Sequence, residues 1–244
     1  MKRRREVGMV ASEIRSAIDE VSLLAPNPKT AVPLPASVSD SAPVQTSVQI
    51  PIKPFLSLCD LLVQQVQTVE FEVEGQRESS SDAVRSPPDT RLEKFHDSDP
   101  SIYCDVVEIL KKEVNEGMAK KGPTCSKAFV WLNRSLDFAM ALLELLVKDF
   151  GRNMEEIVEE SYITTLKPWH GWISAAAYKI SLKLVPDSRT FVDVLKVKGE
   201  EEEEEDDDDV LKKDIQKLIS LLMPVLEQNK NILREFGLDK LKST

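Results

Sequence analysis

The sequence predicts an all-α protein, and three observations carry that prediction. Apolar residues return every three or four positions through most long stretches of the chain. Alternation with period two is almost absent. Helix boundary signals, such as Asp99-Pro100 at one start and Gly237 at one end, flank the periodic stretches.

Each element follows in order. Residues 9–24 place Val10, Ile14, Ile18 and Val21 at helical spacing. Residues 25–54 hold seven of the 14 prolines among Ser, Thr and Ala, which reads as a disordered linker. Domain organisation is therefore an N-terminal helix and linker over 1–54, then a helical domain over 55–244. A helix is expected to open after Pro54 and run to about Val66. Residues 67–90 lose helical periodicity and end near Pro87-Pro88, so they read as a loop with one short strand at Val69 to Val73. Asp99-Pro100 then caps a helix whose apolar face is Ile102, Val106, Ile109 and Leu110. Residues 125–148 carry the strongest pattern, with Phe129, Leu132, Leu136, Leu142 and Leu146 on one side. A further helix is expected from Met154 to Leu184, kinked at Pro168, and a last one from Leu211 to Phe236.

Charge narrows the function. The chain of 244 residues has 32 Lys+Arg against 42 Asp+Glu, a formal charge of −10. Glu200 to Asp209 is an unbroken run of ten acids, and outside it acids and bases number 32 each. A neutral body with one acidic insertion lacks the basic face that releases phosphate counterions, which argues against nucleic acid. The run reads as a solvated loop.

Chemistry of the enzyme kind finds little support. Gly117-Met-Ala-Lys-Lys-Gly122 leads to Pro123-Thr124, where a phosphate loop needs Lys-Ser/Thr. Cys59, Cys104 and Cys125 are odd in number and never paired as Cys-x-x-Cys, so neither a zinc site nor a disulfide framework is expected. His96-Asp97-Ser98-Asp99 holds triad letters too close in sequence to face one another. The reading is a non-enzyme without metal or cofactor. Met-Lys-Arg-Arg-Arg-Glu at the start lacks a following apolar stretch, and no apolar run reaches the ~20 residues of a membrane span, so a cytosolic, monomeric protein is expected.

The informative cluster is Trp169-His170-Gly171-Trp172, together with Trp131-Leu132-Asn133-Arg134 on the preceding helix. All three tryptophans fall in these two elements. By residue type alone the cluster fits core aromatics with a satisfied histidine. The sharper alternative is a pocket mouth where a Trp face meets a sugar ring or lipid headgroup.

The motifs separate these readings. Cys125-Ser-Lys-Ala-Phe-Val-Trp131-Leu-Asn-Arg134 resembles the Trp-Leu-x-Arg helix of the glycolipid transfer protein family. Ser161 to Trp172 resembles its His-Gly-Trp helix, and Pro186 to Leu195 the segment that follows. The likeness runs from about Pro54 to the C-terminus and is greatest to plant members. It implies a two-layer all-α fold that holds a sphingolipid noncovalently, headgroup at the surface and acyl chains in an apolar tunnel. Trp131 matches the residue that stacks on the first sugar, His170 the one that hydrogen-bonds the ceramide amide, and Trp172 one implicated in docking on a transient membrane surface. Phe129, Leu136 and Leu142 are expected along the acyl chains.

Departures from the family pattern matter as much. Its recognition centre also uses Asp-x-x-x-Asn-x-x-Lys/Arg. Arg91 stands for the basic member, but the Asn position falls on Pro88 and the Asp position on Val84. The missing carboxylate takes with it charge-assisted bonds to sugar hydroxyls and the amide N–H, each worth about 1.5–3 kcal/mol. Losing both residues implies headgroup binding weaker by roughly three or more powers of ten. The function implied is intermembrane transfer of a glycosphingolipid, impaired in this chain. Its alternatives are a lipid sensor or interaction module without transfer, and ceramide-1-phosphate transport through Lys127, Arg91 and Arg134.

Overall fold

The computed structural model describes residues 13–24, 49–67, 88–196 and 207–242. Among them the regular elements are helices α1 (Glu13–Leu24), α2 (Ile52–Gln67), α3 (Pro88–Ser98), α4 (Val106–Asn115), α5 (Cys125–Leu146), α6 (Met154–Thr165), α7 (Trp172–Ser181), α8 (Ser188–Leu195) and α9 (Asp207–Glu235). One 3₁₀ turn, Leu182–Leu184, extends α7. The strand expected at 69–73, the Val84 position, most of the linker and Glu200 to Asp206 lie outside the described residues.

α5 is the hub. Its apolar pattern goes nearly all round, and it packs against α2, α3, α4, α6 and α9. α1 lies against both α2 and α9, burying Ile14, Ala17, Ile18 and Val21, so the N-terminal helix shares the one core.

Several boundaries differ from the sequence reading, each for a physical reason. α2 starts at Ile52, before Pro54, because a proline in the first helical turn loses no intrahelical bond. α3 starts at Pro88, so that proline opens a helix inside the stretch read as a loop. Asp99 does not cap α4. Its carboxylate accepts from Ser101 Oγ at 2.6 Å and closes a turn instead. Ile102 is left 56% exposed, off the expected apolar face. The cap is Asp105, which accepts from Val107 N at 3.0 Å and from Ile50 N at 2.8 Å. A short antiparallel bridge between Pro51 and Asp105 holds the two segments together.

The expected Met154–Leu184 helix is two helices. α6 ends at Thr165, a turn carries Leu166 to His170, and α7 begins at Trp172. Pro168 supplies no N–H and restricts Lys167 before it, while Thr164 and Thr165 hydroxyls bond the Ser161 carbonyl as the helix ends. Trp169 and His170 therefore stand in a tight turn. α9 begins four residues before Leu211: Asp207, Asp208 and Asp209 form its first turn, where carboxylates meet the positive end of the helix dipole. Gly237, at φ 64°, ends the element, and Leu238 N returns to the Leu233 carbonyl at 2.8 Å.

Candidate functional site

The site is built on the first half of α5. Thr124 caps that helix by accepting from Lys127 N at 3.2 Å. Glu113 of α4 is buried against the same end and accepts from Cys125 N at 2.9 Å, Ser126 N at 2.7 Å and Ser126 Oγ at 2.6 Å. A carboxylate on three donors at a helix N-terminus fixes where the helix begins. It thereby places Lys127, Trp131 and Arg134, which share one face at helical spacing. Deeper along α5, Asn133 accepts from Asn229 of α9 at 2.7 Å inside the core, which ties the two helices in register.

The turn between α6 and α7 folds back onto this face. The His170 and Trp131 rings lie 5.7 Å apart between centroids, and the His170 and Tyr162 rings 5.5 Å apart. The Arg134 guanidinium stands 4.9 Å from the Trp131 ring and 4.0 Å from the Trp169 ring. One Arg134 nitrogen, Nη2, donates to the Asp239 carbonyl at 3.1 Å, whereas Nη1 is buried with no partner. Burial pulls the Arg134 pKa down to about 10, against the pull of Asp137 and Asp239, and leaves it cationic at neutral pH.

His170 is the second polar group held open. Its pKa is lowered, first by burial and then by the Arg134 charge, so the imidazole is neutral at physiological pH. Its Nδ1 is buried with no partner. A neutral imidazole with an unsatisfied buried nitrogen offers one hydrogen bond to a ligand amide or hydroxyl, as donor or acceptor according to tautomer.

The other expected headgroup residues are nearby and outside this ring cluster. Arg91 lies on α3 beside the start of α5, where its carbonyl receives Cys125 Sγ at 3.7 Å. Its charge pulls the Cys125 thiol down, while burial, the larger effect, pushes that thiol up to about 12. Cys125 and Trp131 stand about 9 Å apart along the helix axis at 1.5 Å per residue. Lys127, half-buried, lies one turn before Trp131.

Trp172 opens α7 and is 82% exposed. Ile173, Ile180 and Leu184 are exposed too and continue the apolar stripe into the 3₁₀ turn, with exposed Lys179 and Lys183 beside it. Beneath α7 lies an apolar pocket lined by Phe138, Leu142, Tyr162, Leu166, Tyr178 and Phe191, with about 20 Å³ of open space. That is room for one water. Leu142 reaches this pocket. Phe129 packs against Phe55 at 5.2 Å between centroids, and Leu136 is fully buried, so both sit in closed core.

Phe138, Tyr162 and Tyr178 were not picked out from the sequence as site residues, and Trp169 stood in the aromatic cluster without a role of its own. Phe138 and Leu142 do sit one turn apart on α5, which is a usable signal. Nothing in spacing alone marks the two tyrosines, because they meet across the α6–α7 turn.

Known proteins resemble this chain in sequence and in fold. The family model described as glycolipid transfer protein matches residues 50–197. Glycolipid transfer protein 3 of Arabidopsis thaliana is 42% identical over 232 residues, covering 95% of this chain and 92% of that protein. Glycolipid transfer protein 2 of the same plant is 38% identical over 95% of this chain and 94% of its own length. Among solved structures, mouse ceramide-1-phosphate transfer protein without ligand superposes with a TM-score of 0.71 at 11% identity, over 95% of this chain and all of that one. A structure of FAPP2, described as selecting simple glycosphingolipids with this fold, superposes with a TM-score of 0.69 at 19% identity, over 82% of this chain and 92% of that one. At such identities the superpositions speak to the fold, and the two-layer all-α architecture implied by the sequence motifs is the one found. With the family model spanning α2 to α8 and relatives matched over nearly their whole lengths, the chain belongs to the glycolipid transfer protein family.

Proposed function

We propose that this protein binds a glycosphingolipid without covalent chemistry and carries it between membranes through the cytosol as a monomer. The observation that carries the reading is the open Nδ1 of His170, buried beside the Trp131 ring. A sugar stacks on Trp131, and the ceramide amide hydrogen-bonds His170. Arg91 and Lys127 supply positive charge along the same side of α5. The exposed stripe from Trp172 to Leu184 docks on the membrane interface, where an indole sits well between water and acyl chains. The acyl chains enter the pocket beneath α7, with Leu142 on its wall. Its closed volume of about 20 Å³ means that loading requires α7 or its neighbours to shift.

A second reading has its own observation. The buried, unpartnered Nη1 of Arg134 suits an anionic group, as in ceramide-1-phosphate. A lipid sensor that binds without transferring is the third. Transfer of a fluorescent monoglycosylceramide between vesicles, with ceramide-1-phosphate as competitor, separates them. Trp131→Ala should abolish glycolipid uptake and leave uptake of the phosphate lipid nearly unchanged. Loss of both, or of neither, overturns the sugar-stacking role. Binding without transfer would leave the sensor.

A further inference from the structure

The Tyr162 and Tyr178 rings lie face to face, with centroids 3.5 Å apart and planes 7° from parallel. Aromatic pairs prefer offset or edge-to-face geometry, since stacked ring faces repel through their quadrupoles. The Tyr178 hydroxyl is also buried with no partner. Burying the ring face on Tyr162 favours closure, while the face-to-face approach and the unpartnered hydroxyl oppose it, and this residue sits where α7 covers the apolar pocket. α7 has little else to hold it. Of its side chains only Ser181 is buried, while Trp172, Ile173 and Ile180 face outward. Helices with few buried contacts open at low cost.

We propose that Tyr178 is the latch of the apolar pocket: its ring on Tyr162 holds α7 closed, and its unpartnered hydroxyl keeps that closure metastable. An acyl chain entering beneath α7 takes the place of the Tyr178 ring and lets its hydroxyl reach water. Tyr162 then loses its stacking partner on one side while still facing His170, whose ring lies 5.5 Å away. Filling the chain pocket is therefore coupled to the aromatic row that receives the headgroup. Tyr178 acts through Tyr162 and α7, as a positioning residue, and the idea rests on the lipid-carrier reading of the pocket.

The test uses the full chain without lipid, by hydrogen–deuterium exchange of the α7 amides. Tyr178→Phe keeps the ring and removes the costly hydroxyl, so α7 exchange should slow about tenfold, the factor equivalent to ~1.4 kcal/mol. Tyr178→Ala removes the stack, so α7 exchange should quicken at least about tenfold by the same conversion, with α5 unchanged. The opposite signs matter, because a merely structural ring would lose protection in both variants. The latch is overturned if Tyr178→Phe exchanges as fast as the parent or faster, or if Tyr178→Ala leaves α7 unchanged. A parallel arm measures pickup of pyrene-labelled glucosylceramide from phosphatidylcholine vesicles, slower in Tyr178→Phe and faster in Tyr178→Ala. If no form picks up lipid, the carrier reading fails, and the exchange data still decide the latch.

Discussion

The guanidinium of Arg134 rests 4.0 Å from the Trp169 ring, on a residue that the α6–α7 turn brings back over α5. The same side chain donates to the Asp239 carbonyl just beyond α9. One buried cation thus joins the middle of α5, the site turn and the end of the chain's last helix. Arg134→Ala should cost about 2–4 kcal/mol, from lost cation–π contact, lost packing of the stem and an orphaned carbonyl. Urea unfolding gives the cost. A red shift in tryptophan emission reports the freed rings, and an unchanged spectrum would contradict the clamp.

Removing that charge should also act on His170. Burial and Arg134 together depress its pKa below the ordinary 6.5. The folded state therefore takes up its proton less readily than the unfolded chain. Stability from this group is complete above the unfolded value and declines as the pH falls below about 6.5, by at most ~1.4 kcal/mol per unit, until the folded pKa is reached. Arg134→Met should raise the His170 pKa, read from imidazole shifts in NMR titration. A pKa that stays put would show that burial alone sets it.

Glu113 carries no ligand role here, yet it holds the helix that does. Glu113→Ala leaves Cys125 N, Ser126 N and Ser126 Oγ without their acceptor. The expected loss is about 3 kcal/mol, with Glu113→Gln losing less. Chemical denaturation of the two variants tests the order, and equal losses would assign the effect to space rather than hydrogen bonding.

On the membrane side, Trp172→Ala touches a residue 82% exposed and should leave thermal stability nearly unchanged. Vesicle affinity should fall roughly tenfold or more, because a large apolar ring no longer enters the interface. Co-sedimentation with vesicles measures it. Undiminished affinity would move the docking surface off α7.

The double variant Val84→Asp, Pro88→Asn restores the polar pair of the family motif. Glycosylceramide transfer should rise by about two to three powers of ten if that pair is what the headgroup lacks. No gain would mean that His170, Trp131 and Arg91 already meet the headgroup's needs by another route.

Much of this fold is legible in the sequence. The α5 periodicity marks Leu132, Leu136 and Leu142 as its buried side, and the Trp131 and His170 motifs name a family that the comparisons bear out. Local ambiguity hid the rest. A proline inside an apolar pattern signals either a kink or a stop, and Pro168 proved to mark a stop. It has no N–H for the Thr164 carbonyl, Lys167 N turns back to the Tyr162 carbonyl at 2.9 Å, and Trp169 N closes a tight turn on the Leu166 carbonyl at 2.9 Å. Asp99 and Asp105 are both sound caps in isolation. Asp105 wins because Ile50, distant in sequence, also donates to it.

The sequence by itself determined the helical class and the family, and it singled out Trp131, Arg134 and His170 as one aromatic and basic cluster, since periodicity and motif spacing are properties of a single line of residues. Only the tertiary structure decided that Arg134 sits between two tryptophans, that His170 keeps a buried nitrogen open, and that Tyr178 closes a pocket of about 20 Å³. Those facts depend on the α6–α7 turn folding back onto α5. Pro168 marks where that turn falls, but how it seats on α5 is set by packing between segments far apart in the chain, which no local pattern encodes.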